Sequence, residues 1–171
     1  MDVFAAMANR HSYRGPFTAQ PVSREHLRQI VVAALQSPSA NNTQTTAWLI
    51  VDEPALLEGL RAVAPDSVTL RSAPAVLVTL VDKAASGGLV AVNYGAAVEN
   101  ALLAATGLGY ATLWMEGWKN APGSVQAVEK LLQVPEDLVP TVLIPLGVPA
   151  EPVTAREKRP FEERAWWNLC R

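Results

Sequence analysis

Residues 73–115 read Ala73-Pro-Ala-Val-Leu-Val-Thr-Leu-Val-Asp-Lys-Ala-Ala-Ser-Gly-Gly-Leu-Val-Ala-Val-Asn-Tyr-Gly-Ala-Ala-Val-Glu-Asn-Ala-Leu-Leu-Ala-Ala-Thr-Gly-Leu-Gly-Tyr-Ala-Thr-Leu-Trp-Met115. The opening run, Ala75 to Val81, is dense in valine and leucine and free of proline, which predicts a buried strand. After Gly87-Gly88, the pattern from Leu89 to Ala105 carries Glu99 as its one charge. It is too long for a strand and apolar on more than one side, which predicts a central helix covered on most sides. Gly107-Leu108-Gly109 stops that helix, and Tyr110 to Met115 predicts another strand.

Working outward, Trp48 to Val51 and Thr141 to Leu146 predict two further strands. Helices are expected at 2–9, with Asp2 as cap, and at 24–35, where Leu27, Ile30, Val31 and Ala34 share a face behind Ser23. A short surface helix is expected from Pro54, and another at 124–133 capped by Ser124. Pro16 and Pro21 make the N-terminal connector extended, and the proline-rich, charged tail from Val148 is expected to be extended too. Several connections are too short for regular right-handed crossovers, so a mixed sheet is expected in preference to a doubly wound one.

Composition bounds the function. At 171 residues the chain is expected to form one domain, 1–171, and with half its residues apolar and a net charge of -2 it is neither disordered nor built to bind polyanions by bulk charge. Cys170 is the single cysteine and the histidines are two, so no internal disulfide or multi-thiolate metal site can form. No metal ligands are assigned. No run reaches eighteen apolar residues without polar interruption, and Arg10 follows the first apolar residues where a signal peptide would put its charge before them. A cytoplasmic protein without nucleic-acid or membrane partners is expected.

Four segments carry chemical content. Arg10-His-Ser-Tyr-Arg14 sets two guanidinium groups and a hydroxyl within five residues, a donor set suited to a phosphate, though equally a solvated helix end. Ser37-Pro-Ser-Ala-Asn-Asn-Thr-Gln44 offers amides that suit a planar heterocycle; turn formation accounts for most of it, but not for Gln44. Trp114-Met-Glu-Gly-Trp118 ends a strand, where Gly117 permits close approach of the backbone to a flat ligand. Arg156-Glu-Lys-Arg159 is either a solvated tail or a second basic clamp.

In their order along the chain these segments resemble the nitroreductase family of FMN-dependent oxidoreductases. The resemblance is carried by Arg10, Ser12 and Arg14; Pro21-Val22 before a helix; Pro38, Ser39, Asn42 and Gln44; Ala73-Pro74 before a strand; Gly107-Leu108-Gly109; Glu116-Gly117; Val134-Pro135-Glu136; Leu146-Gly147 with Pro149; and a basic pair before Pro160-Phe-Glu-Glu163. It implies an α+β fold, with a three-layer α/β/α arrangement around a mixed sheet, and an interlocked homodimer with flavin at the subunit interface. It further implies that Arg10, His11, Ser12 and Arg14 hold the FMN phosphate and ribityl chain with a C-terminal basic residue, best matched by Arg159, with Lys158 one position away. Pro38, Ser39, Asn42 and Gln44 would contact the flavin, partly from the other subunit, and Glu116 and Gly117 would lie near its redox-active edge.

The activity this resemblance implies is hydride transfer from NADH or NADPH through FMN to a nitroaromatic, quinone-like or related small-molecule acceptor. A specialised flavin reaction such as reductive dehalogenation, or a flavin-binding dimeric module with little turnover, are the alternatives. No acid, base or nucleophile is assigned, because the flavin carries the redox chemistry. Where the family pattern continues Gln-Pro-Trp, this chain has Gln44-Thr45-Thr46-Ala47-Trp48, and the segment from Val51 to Ala75 is short, which predicts a more open pocket.

Overall fold

The computed structural model describes residues 1–85 and 89–170, so the expected glycine pair at 87–88 lies outside the described residues. Helix α1 spans Val3–Asn9, and Asp2 caps it by accepting from the Ala5 N–H at 3.0 Å. Helix α2, Arg24–Leu35, begins at Ser23, whose hydroxyl accepts from the His26 N–H at 3.1 Å. Strand β1 is Thr46–Val51, followed by α3, Pro54–Arg61, and a five-residue helix α4, Val68–Ser72, which the sequence reading did not anticipate. Strand β2, Ala75–Asp82, leads to α5, Leu89–Gly107. Gly109, at φ 87, makes the left-handed turn that delivers the chain into β3, Ala111–Thr112. Helix α6, Ser124–Leu132, and strand β4, Leu138–Gly147, complete the scaffold.

The sheet order is β1-β2-β4-β3, and every strand pair is antiparallel. This corrects the expected mixed sheet: among the described residues the one parallel contact is an isolated bridge between Ser12 and Thr112. The reason lies in where connections end. Val51, the last residue of β1, is paired with Val76 near the start of β2, so the excursion through α3 and α4 returns the chain to the edge it left. A strand entering from that edge must run the other way.

Alternation along the strands builds a core on each face. Val76, Val78, Leu80 and Leu143 pack with Leu57, Leu60, Leu70, Trp118 and Val128 from α3, α4 and the region around α6. Ala75, Leu77, Val142, Ile144 and Leu146 pack with Leu27, Ile30, Ala34, Val98 and Leu102 from α2 and α5. Helices therefore cover both faces, giving three layers and an α+β fold.

Two further expectations are corrected, and a third holds in part. The strand expected at Tyr110–Met115 is two residues long, with Met115 making only an isolated bridge to Leu143. Ser124 is not the cap of α6: Gly123, at φ 78, occupies that place, and the buried Ser124 hydroxyl has no hydrogen-bond partner among the described residues. Helix α5 is covered from Asn93 to Gly107, where every residue is buried or half-buried, but its first turn is not. Its buried residues include Ala97, Val98, Ala101 and Leu102, while Leu89 and Val92 are exposed. By length and composition α5 would suffice to cross a membrane, but it lies along α2 and the sheet as a core helix.

Candidate functional site

The N-terminal segment and the root of the tail are built as one unit. Thr18 N–H donates to Val148 C=O at 2.9 Å, and Ala150 N–H to Pro16 C=O at 3.0 Å, on either side of a bridge between Phe17 and Pro149. Buried Tyr13 pins both chains: its hydroxyl donates to Pro16 C=O at 2.6 Å and accepts from the Glu151 N–H at 3.3 Å. The Tyr13 N–H in turn bonds Thr112 C=O at 2.9 Å, which fixes the segment to the sheet edge. These bonds place residues 10–14 opposite residues 154–158.

Between them lies a cleft of about 320 Å³ lined by Arg10, His11, Ser12, Arg14, Thr154, Arg156 and Lys158. Among the described residues its lining holds three guanidinium groups, an ammonium, an imidazole and two hydroxyls, and no carboxylate. Such a donor set fits a phosphate group, which offers only acceptor oxygens and negative charge. Arg10 reaches the cleft already paired with Glu99 on α5 at 3.1 Å. Arg14 donates to the Ser12 carbonyl at 3.2 Å and is otherwise exposed. Of the tail residues, Lys158 lines this cleft and Arg159 does not, whereas Arg156 and Thr154 do. The sequence reading named Arg156 only as part of a possible second basic clamp, and it left out Thr154 in the lining and Tyr13, which holds the two segments together. Alternate residues of an extended tail face the same way, and Arg156 and Lys158 are two apart, a spacing that could have signalled the pair.

The loop after α2 is held by a residue that the sequence reading passed over. Asn93, buried on α5, accepts the Ala40 N–H at 3.0 Å and donates to the hydroxyls of Thr43 and Thr45 at 3.4 and 3.3 Å. The Ser39 hydroxyl accepts the Gln44 N–H at 3.0 Å, and Asn41, Asn42 and Gln44 all have positive φ. Asparagine tolerates that conformation better than most residues, which gives the run its local logic. Thr45, which stands where the family pattern has proline, is thus an Asn93 partner. A small cavity of about 90 Å³ lies behind the loop, lined by Ser37, Ser39, Gln44 and Trp48 among others. Pro38, Ser39, Asn42 and Gln44 do not line the basic cleft of their own chain.

Glu116 stands four residues beyond Thr112, at the entry to a short 3-10 turn, Gly117–Asn120. Its carboxylate accepts from Tyr94 at 3.0 Å, Trp114 at 3.3 Å and Lys119 at 2.7 Å. Partial burial pushes the carboxyl up, but the hydrogen bonds from Lys119, Tyr94 and Trp114 outweigh it and hold the group below its ordinary range. Burial, reinforced by the Glu116 charge, raises the Tyr94 hydroxyl. Gly117 is exposed, and a Cβ there would meet no described residue within 4 Å. Asn93 and Tyr94 are consecutive, so the first turns of α5 tie down both the loop and the Glu116 turn.

The sequence profile of the nitroreductase family matches residues 7–148, the whole scaffold from the basic segment to the end of β4. The chain belongs to the nitroreductase family. It is an oxidoreductase of that family by sequence. A Methanothermobacter thermautotrophicus protein, provisionally named NADH dehydrogenase/NAD(P)H nitroreductase, is 30% identical over 153 residues, covering 88% of this chain and 79% of that protein. An NADH dehydrogenase of Thermus thermophilus is 28% identical, with 98% of this chain and 97% of that protein covered. Among solved structures, nitroreductase A from Vibrio parahaemolyticus superimposes with a TM-score of 0.84 at 24% identity, over 100% of this chain and 78% of that one. At that identity the superposition speaks for the nitroreductase fold alone.

Proposed function

We propose that this nitroreductase-family chain is an FMN-dependent oxidoreductase that draws on NADH or NADPH and reduces a nitroaromatic or quinone-like acceptor, working as a homodimer. The observation that carries the reading is the acid-free basic cleft formed by residues 10–14 and 154–158. In this reading Arg10, Arg14, Arg156 and Lys158 neutralise the FMN phosphate, and Ser12, Thr154 and His11 add neutral or directional contacts. FMN, when bound, supplies the redox chemistry by accepting a hydride and passing on two electrons. The chain's own part is to hold the phosphate, to keep the Glu116-Gly117 turn open to a flat ligand, and to present the 37–45 loop.

Two features support the dimer. Val3, Phe4 and Met7 of α1, Leu35 of α2 and Leu89 and Val92 of α5 are exposed apolar side chains. The tail beyond residue 151 carries Phe161, Trp166, Trp167 and Leu169 exposed, large apolar side chains of the kind an interaction surface presents. A second copy would cover both and would bring Pro38, Ser39, Asn42 and Gln44 to the cofactor of its partner.

The test is anaerobic turnover with either nicotinamide nucleotide and a panel of nitroaromatic and quinone acceptors, with sedimentation run in parallel. Acceptor-dependent oxidation of the nucleotide by a species of twice the 18.3 kDa chain mass is the expected result. A monomer that leaves every acceptor unreduced in the presence of excess FMN overturns the reading.

A further inference from the structure

Three donors from three separate places converge on the Glu116 carboxylate. Tyr94 comes from α5, Trp114 from the segment after β3, and Lys119 from the 3-10 turn itself. An ion pair between two exposed side chains is ordinarily worth little, because water screens it and both chains lose freedom. Here both charged partners are partly buried, Tyr94 shares the Oε1 oxygen with Lys119, and Trp114 holds Oε2. Beside it, the space over Gly117 is clear, so the packing of this chain does not itself demand glycine there. A constrained, paired charge next to an open approach to the backbone is an arrangement that would act on a ligand placed over that turn.

We infer that Lys119, acting through Glu116, is a positioning and charge-balancing residue that sets how readily the flavin at this turn is reduced. The inference rests on the proposed function above and names a residue that the sequence reading did not place in the site. Two-electron reduction of a flavin at neutral pH takes up two electrons and one proton, so the reduced cofactor carries one negative charge more than the oxidised one. An uncompensated carboxylate beside it disfavours that extra charge, and the Lys119 ammonium at 2.7 Å from Glu116 offsets it. Tyr94 and Trp114 hold the carboxylate in place without changing the charge. Lys119 is therefore expected to govern the redox equilibrium more than cofactor affinity.

The experiment is an anaerobic reductive titration of the full-length FMN-loaded protein against a reference dye, comparing wild type with Lys119→Met, Lys119→Arg, Glu116→Gln and the Glu116→Gln/Lys119→Met pair. Lys119→Met is expected to shift the reduced-to-oxidised ratio at fixed potential about tenfold toward oxidised, roughly 30 mV for a two-electron couple. Lys119→Arg restores the wild-type ratio, Glu116→Gln moves it toward reduced, and the double variant returns near wild type. Ratios within twofold of wild type in Lys119→Met, or in Glu116→Gln should the first variant fail to fold, overturn the inference and leave the proposed function standing. Wild-type protein that takes up no FMN overturns the proposed function, and this inference with it.

Discussion

Replacing Arg14 by alanine isolates the phosphate contact from the fold. The side chain is exposed, lines the basic cleft, and makes one hydrogen bond among the described residues, to the Ser12 carbonyl at 3.2 Å. Arg10 is a poorer choice, since its removal also strips Glu99 of its partner. A hydrogen bond to a charged group contributes about 1.5–3 kcal/mol, and each 1.4 kcal/mol is a factor of ten. FMN should therefore bind roughly 10- to 150-fold more weakly to Arg14→Ala, while the stability of the apoprotein changes by no more than about 0.5 kcal/mol. Quenching of FMN fluorescence on titration with apoprotein measures the first quantity, and urea unfolding the second. Riboflavin, which lacks the phosphate, supplies the internal control and should bind wild type and variant alike. An FMN affinity within twofold of wild type, or an equal loss for FMN and riboflavin, would refute the placement of phosphate at Arg14.

Two glycines should respond in opposite ways. At Gly147 a Cβ would lie 2.8 Å from Pro74 Cδ and 3.0 Å from Phe17 Cγ, so Gly147→Ala should destabilise the fold by about 1–3 kcal/mol in urea unfolding. Gly117→Ala, with open space over it, should leave apoprotein stability within about 1 kcal/mol of wild type and still weaken FMN binding; unchanged FMN affinity would contradict a flavin over that turn. Asn93→Ala removes the acceptor of the Ala40 N–H and the amide that ties Thr43 and Thr45 to α5, a loss of about 1–3 kcal/mol readable from the urea midpoint, with faster proteolytic cleavage in the 37–45 loop. Asp52, hydrogen-bonded and paired with Arg24, and Glu116 both lie below their ordinary carboxylate values in the fold. Between the folded and unfolded values the unfolded chain binds more protons, so stability is complete above the ordinary carboxylate range and falls as pH drops through the folded values. Asp52→Asn should flatten that acid limb, and an unchanged slope would contradict the pairing.

The strongest elements were legible because their signals are local. The valine–leucine run of β2 can be little but a buried strand, and Ser23 before Leu27, Ile30 and Ala34 predicts both the start and the buried face of α2. The family pattern likewise pointed to Arg10, Ser12 and Arg14, and those residues meet in one cleft. Strand direction was not legible, because an apolar run reads the same whichever edge the chain enters from, and the return through α3 and α4 is a property of helix packing. Asn93 was hidden for a related reason: its partners lie about fifty residues away in sequence, so a polar residue on an apolar helix gave no sign of what it holds. In the tail the family pattern pointed to Arg159, with Lys158 one position away. Arg159 was the better motif match, yet Arg156 and Lys158, sharing one side of an extended segment, face the cleft.

The central claim is that this chain binds a flavin and reduces it with a nicotinamide nucleotide. The visible absorption spectrum of the purified, untagged protein, incubated with FMN and freed of excess, tests it most directly before and after anaerobic addition of NADH or NADPH. The account predicts a bound yellow flavin whose absorption bleaches on addition of one of the two nucleotides. A colourless protein after FMN incubation, or a bound flavin that neither nucleotide bleaches, would contradict it.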